Sequence, residues 1–276
     1  MIGGGLWADI ERQLQRAMHQ LGRPGDERHD GIHQARKALR RTRAVLALAV
    51  PAWAAAESTP AAVRAAGTVR RADAELRRLC RGLSSLRDAD ALRDALLHLT
   101  QEAVLGPIEF ARLCQPVEAL RQRRLEAALQ RDPEFTRRRA RIARVAELLA
   151  GLPWPEVAAT VAIEAHAQAR ERLEKARRRA RRSTDPEVWH RLRRRLRRLR
   201  QQEQVLARAA PELGLHTEGL DVLATTMGLA QDHALLLAHS RRAGVFAAAD
   251  RATLRRLVEP LYTAALDATA RALARG

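Results

Sequence analysis

Two histidines, His33 and His190, each lead a run of basic residues at matching intervals. The first run carries Arg36, Lys37, Arg40, Arg41 and Arg43; the second carries Arg193, Arg194, Arg197, Arg198 and Arg200. Both fit the pattern H-x-x-R-[KR]-x-L-R-R-x-R, and they lie 157 residues apart. Guanidinium forks bind phosphate or carboxylate oxygens bidentately and stay charged at any relevant pH, so the chemistry on offer is anion recognition. A histidine among them can donate to phosphate oxygens, and a polyanion favours its charged form.

Helical phase puts each set on one stripe. At ~100° per residue, the five cations after His33 fall within about 80° of it on either side. The opposite arc holds Ala35, Ala38, Leu39, Val45, Leu46 and Ala49, with Thr42 its one polar member. The His190 helix repeats the arrangement, with Leu192, Leu196, Leu199 and Leu206 behind its arginines. Like charges at i,i+4 repel by a few tenths of a kcal/mol per pair. Such a face is tolerated if solvent bathes it, if acids from other helices meet it, or if an anion occupies it. Its recurrence with a histidine at the same phase weighs against solvent alone.

Other chemistries find no support. A P-loop needs G-K-[ST], and neither lysine of the chain, Lys37 or Lys175, follows a glycine. Gly3-Gly4-Gly5-Leu6-Trp7-Ala8 satisfies G-x-G-x-x-[GA] formally, but no strand precedes it. His29 and His33 are four apart, as metal ligands on a helix can be, yet no further ligand cluster follows. Cys80 and Cys114 form no CxxC pair. No nucleophile–base pair can be nominated. The chain is expected to be a binding module and no enzyme, with no catalytic residue, cofactor or metal.

The elements that must position the two stripes are helices. The 276 residues carry 50 cations against 32 acids, a net charge of +18, and all but two of the cations are arginine. The segments 36–43 and 170–200 hold sixteen of those eighteen net charges, so the field is concentrated and predicts a polyanionic partner. Hydrophobic content of 46% supports a core and excludes a disordered basic tail, while 3% aromatics argues against a β-sandwich. Ala, Leu and Arg are good helix formers, and the fold class is all-α.

Helix starts are legible at Asp30-Gly31, Thr59-Pro60, Asp132-Pro133-Glu134 and Asp185-Pro186-Glu187. Stops are expected before Pro51, at Gly106-Pro107 and at Pro211, with a central break at 151–155. About ten helices in two halves, 1–150 and 151–276, follow. A second echo, Arg87-Asp88 against Gln231-Asp232, strengthens the internal repeat and points to duplication with pseudo-twofold symmetry. Each Asp is read as an N-cap or as a partner orienting a stripe arginine. The longest apolar run, 44–56, is too short for a bilayer span of ~20 residues, and a cytoplasmic, reducing location is expected.

The histidine-led runs, with the two echoes, resemble the CHAD domain, the conserved histidine α-helical domain. The likeness extends from about residue 6 to the end of the chain. It implies two pseudo-symmetric helical bundles packed around a central basic channel that binds inorganic polyphosphate. It also implies association with polyphosphate granules. On that resemblance the anion-binding residues are His33, Arg36, Arg40, Arg41 and Arg43, with His190, Arg193, Arg197, Arg198 and Arg200. Lys37 and Arg194 share the stripes, at positions where many relatives carry an apolar residue. Arg87 is counted as a further phosphate contact. Phosphate or sulfate would serve as simpler stand-ins for the polymer, and no membrane partner is expected.

Two alternatives stay open from the residues alone. A cationic helix also suits a nucleic-acid backbone, although eight aromatics without a clustered platform speak against base stacking and so against sequence-specific binding. A scaffold that captures an acidic protein is the other.

Overall fold

The computed structural model describes residues 2–54, 59–183, 185–214 and 218–275. Among the described residues there are ten α-helices and no strand, so the chain is all-α as its composition dictates. The helices are α1 (Ile2–Leu21), α2 (Arg28–Ala54), α3 (Pro60–Gly82), α4 (Ser84–Gln101), α5 (Pro107–Arg131), α6 (Thr136–Ala150), α7 (Ala159–Ala180), α8 (Pro186–Ala209), α9 (Glu218–Ser240) and α10 (Ala248–Arg275). No helix among the described residues is long and apolar enough to cross a membrane. The last two residues of the apolar run 44–56 lie outside the described residues.

Three helix starts follow local capping chemistry. The Thr59 hydroxyl accepts the Ala62 N–H at 3.2 Å, with Pro60 opening α3. The Asp185 carboxylate accepts the Glu187 N–H at 2.9 Å, with Pro186 opening α8. Each cap satisfies a donor that the helix itself leaves orphaned. Asp132 caps one turn later than its proline suggests. Pro133–Phe135 forms a 3₁₀ turn, and the carboxylate accepts the N–H groups of Arg137 and Arg138 at 2.8 and 3.3 Å.

Helix α2 departs from expectation at both ends. It starts at Arg28, not Gly31, so Asp30 sits inside the first turn and takes bonds from Arg23 and Gln34 at 2.6 and 3.2 Å. It also runs through Pro51 to Ala54. A helical proline loses one backbone bond, but Leu48, Ala49 and Trp53 around it are buried, and that packing holds the turn.

The helices gather into two compact units, each assembled from stretches on both sides of residue 150. The first comprises Met1–Ser84, Asp132–Arg178 and Arg194–Thr217. Within it α1 packs on α2 and α6, and α3 packs on α2 and α6. Leu6, Ile10 and Leu14 of α1, Leu39 and Leu46 of α2, Leu76 of α3, and Leu196 and Leu206 of α8 are all fully buried. Each such side chain contributes about 1.5–3 kcal/mol by leaving water. Two glycines permit the close crossings. A Cβ on Gly3 would lie 1.8 Å from the Trp154 carbonyl oxygen, and one on Gly31 would lie 2.2 Å from that of Gln20.

Trp154 anchors an aromatic cluster in this unit. Trp7 stacks on it at 5.6 Å between centroids, Trp53 meets it edge-on at 5.1 Å, and its Nε1–H donates to the Leu149 carbonyl at 2.8 Å. Trp53 and Trp154 are buried, so the cluster is core and not a stacking platform.

The second unit comprises Ser85–Arg131, Arg179–Arg193 and Glu218–Gly276. Here α9 packs along α10. Leu92, Leu96 and Leu99 of α4, Leu113 and Val117 of α5, Leu236 of α9, and Leu254 and Val258 of α10 form one core with Phe246.

Candidate functional site

The apolar backs of the two stripe helices are buried as their phase requires. Ala35, Ala38, Leu39, Thr42, Val45, Leu46 and Ala49 on α2, and Leu192, Leu196, Leu199 and Leu206 on α8, are each no more than 2% exposed. Their cationic fronts therefore have a fixed orientation.

In the first unit, carboxylates from other helices meet part of the α2 stripe. Arg41 forks onto the buried Asp9 of α1, with Nε–Oδ2 and Nη2–Oδ1 distances of 3.0 and 3.2 Å. Asp9 also takes Arg12, and Arg208 at 3.4 Å, so one carboxylate faces three guanidiniums. Arg43 donates to Asp73 of α3 at 2.7 Å, and Arg77 joins the same carboxylate at 3.1 Å. Burial works to raise the Asp73 carboxyl, but hydrogen bonds and charge from Arg43, then Arg77, outweigh it and hold it below its ordinary value. Arg36 donates to the Ser84 hydroxyl at 2.6 Å and to the Cys80 carbonyl. His33 and Arg40 are half-buried, and Lys37 is exposed.

The later part of α8 belongs to the same unit and brings Arg194, Arg197, Arg198 and Arg200. The buried Gln202 ties α8 to α2 by donating to the Ala44 carbonyl at 3.0 Å. A buried pair, His166 of α7 and Glu203 of α8 at 3.2 Å, ties α8 to α7. Arg198 keeps solvent-exposed surface, yet its charge is disfavoured first by the protein packed around it and next by Arg43. Asp73 opposes this, while Arg172 and Arg77 add to it. The two stripes thus meet electrically at Arg43 and Arg198.

In the second unit, the start of α8 supplies His190 and Arg193. His190 Nδ1 and the Gln231 Oε1 of α9 are 2.9 Å apart, an arrangement in which Nδ1–H donates and Nε2 stays available. Beside them is a cavity of about 50 Å³, bounded by His190, Arg193, Gln231, Met227 and Tyr262. The Arg193 Nε is buried without a hydrogen-bond partner among the described residues. Burial disfavours the Arg193 charge; Asp232 opposes that and Arg87 reinforces it. Arg87 pairs with Asp94 at 3.1 Å, but its Nη1 is likewise buried without a hydrogen-bond partner. Asp232 lies 3.2 Å from His98, and burial raises its carboxyl despite Arg193 and His98.

The CHAD domain family model matches residues 8–241 of the chain. This protein belongs to the CHAD domain family. No curated protein and no solved structure matches it. The matched span of the CHAD domain contains both histidine-led helices and both echo segments.

One expectation for this CHAD domain changes. Asp88 and Asp232 are not N-caps, because α4 already begins at Ser84 and α9 at Glu218. Asp232 acts instead as a charge partner of Arg193. The formal G-x-G-x-x-[GA] run lies inside α1, so it forms no phosphate-cradling turn. Among the described residues no three His, Cys, Asp or Glu side chains gather as a metal site, His29 and His33 included. Sequence reasoning missed Asp9, Asp73, His98 and Gln202. Asp9 and Asp73 meet stripe arginines from other helices, Gln202 ties α8 to α2, and His98 meets Asp232 of the second echo, so no local spacing announces any of them.

Proposed function

We propose that this CHAD domain binds inorganic polyphosphate, without turning it over, through the histidine-led arginine faces of α2 and α8. One observation supports this reading above others: beside the cavity at His190, the Arg193 Nε is buried without a hydrogen-bond partner among the described residues, and the protein packed around Arg193 disfavours its charge. A cation desolvated by protein and pressed by other cations regains its lost solvation from an anion. Polyphosphate is flexible, carries about one charge per unit and has no bases to read. Faces of arginine without a stacking platform suit it, as does the basic channel that the family resemblance implies. The working contacts are His33, Arg40, Arg197, Arg198 and Arg200 in the first unit, and His190, Arg193 and Arg87 in the second. The same binding would carry the protein to polyphosphate-rich granules.

The test is titration of long-chain polyphosphate against the whole chain, with Arg198→Ala and Arg193→Ala separately and together. Each loss of a charge-assisted contact is expected to weaken binding about tenfold, with helicity unchanged and no orthophosphate released. Duplex DNA displacing polyphosphate at equal phosphate concentration would overturn the reading in favour of general backbone binding.

A further inference from the structure

The second unit carries another cationic recess, made of residues that take no part in the α2 and α8 faces. A cavity of about 400 Å³ is bounded by Arg123 and Arg124 of α5, His239 of α9 and Arg242 of the following loop. Leu120 and Val245 give it apolar walls. That volume lies in the range of small-ligand sites, and convergent polar groups on partly apolar walls are their usual make-up.

The arginines inside make no ion pair among the described residues. Neither Arg123 nor Arg242 has a carboxylate partner among the described residues. Arg124 directs one Nη1–H to the Ser85 carbonyl at 2.7 Å, which fixes its guanidinium. The charged form of His239 is disfavoured by burial, then by Arg124 of α5, and also by Arg242 of the loop; Asp88 of α4 is the carboxylate that opposes this. Further along α5 the contrast is plain, since Arg121 is matched by both Asp90 and Glu118.

The geometry points to a site for the di- or triphosphate group of a small molecule, separate from the faces proposed for long-chain polyphosphate. Arg123, Arg124 and Arg242 grip the phosphate oxygens. Protonated His239 adds a fourth donor once an anion is present. The walls at Leu120 and Val245 leave room for an organic portion.

The His239 ring proton, assigned by loss in His239→Gln, is followed by NMR across pH with sodium tripolyphosphate or ATP added to the whole chain. Either ligand is expected to raise the His239 pKa, because a bound anion offsets burial and the neighbouring arginines. Arg123→Ala with Arg242→Ala should abolish that rise and weaken binding at this site at least about tenfold, both side chains being exposed and dispensable for packing. Calorimetry in an Arg193→Ala, Arg198→Ala background isolates the site from the α2 and α8 faces. Tighter binding of ATP would assign the walls to an organic portion; equal binding would assign the site to the phosphates alone. A His239 signal unmoved by both ligands, or moving equally in the Arg123/Arg242 variant, would overturn the proposal. If His239 responds while long-chain polyphosphate fails to bind, the polyphosphate reading falls and this one stands.

Discussion

The buried carboxylate of Asp9 grips Arg41 through two hydrogen bonds, at 3.0 and 3.2 Å. That fork takes Arg41 out of the open stripe and makes it a bolt between α1 and α2. Removing one partner leaves the other charge buried and unmatched, which typically costs 3–5 kcal/mol. Asp9→Ala is therefore expected to lower unfolding free energy by about that amount in urea titrations. Arg41→Ala should destabilise the fold while weakening polyphosphate binding less than Arg198→Ala does. Equal binding losses for the two variants would return Arg41 to the site.

Arg193 and Arg198 should behave in the opposite way. Burial, with Arg87 in one case and Arg43 in the other, outweighs the help that Asp232 and Asp73 give their charge. Arg193→Ala and Arg198→Ala are expected to leave stability unchanged or slightly raised, while weakening polyphosphate binding. Thermal melts beside titrations measure both quantities. A marked drop in melting temperature for either variant would assign that arginine to the fold.

The stripes and their apolar backs were readable because helical phase is a local property, and the same holds for the caps at Thr59 and Asp185. What meets the stripes was not readable. Asp9 and Asp73 reach α2 from other helices, and no spacing along the chain encodes a contact between helices. α1 carries three glycines, poor helix formers, in its first turn, and burial of Leu6, Ile10 and Leu14 holds it helical. Pro51 reads as a stop because proline breaks isolated helices; buried neighbours override that here. The tryptophans sit at positions 7, 53 and 154, too far apart in sequence to announce a cluster.

Two carboxylates should tilt the pH dependence of stability in opposite directions. Asp73 is held below its ordinary value, so its contribution is complete above the unfolded-state pKa, ~3.9, and is lost as pH falls through the lower folded value. Asp73→Asn should cost about 1 kcal/mol near neutrality, and the two curves should converge in acid. Asp232 is raised above its ordinary value, so the fold gains stability as pH falls through that value. Asp232→Asn should accordingly lie above the parent at neutral pH and merge with it in acid. Urea midpoints across pH resolve the two slopes, and parallel curves for either variant would contradict the assigned environment.

Salt dependence separates an electrostatic grip from shape recognition. Binding a polyanion with arginines releases condensed counterions, and each neutralised phosphate on a single strand steepens the log–log slope by roughly 0.7. Fluorescence titrations from about 50 to 200 mM salt should therefore show polyphosphate affinity falling more than tenfold. Arg193→Ala with Arg198→Ala should flatten that slope by about one to two contacts' worth, because the contacts are lost and not merely weakened. Lys37, exposed on α2 and strongly hydrated as an ammonium, tests the geometry further. Its change to Ala should alter the slope less than loss of Arg198, whose guanidinium is crowded among other cations. A salt-independent affinity, or equal slopes for all three variants, would mean that the arginine faces do not hold the polymer.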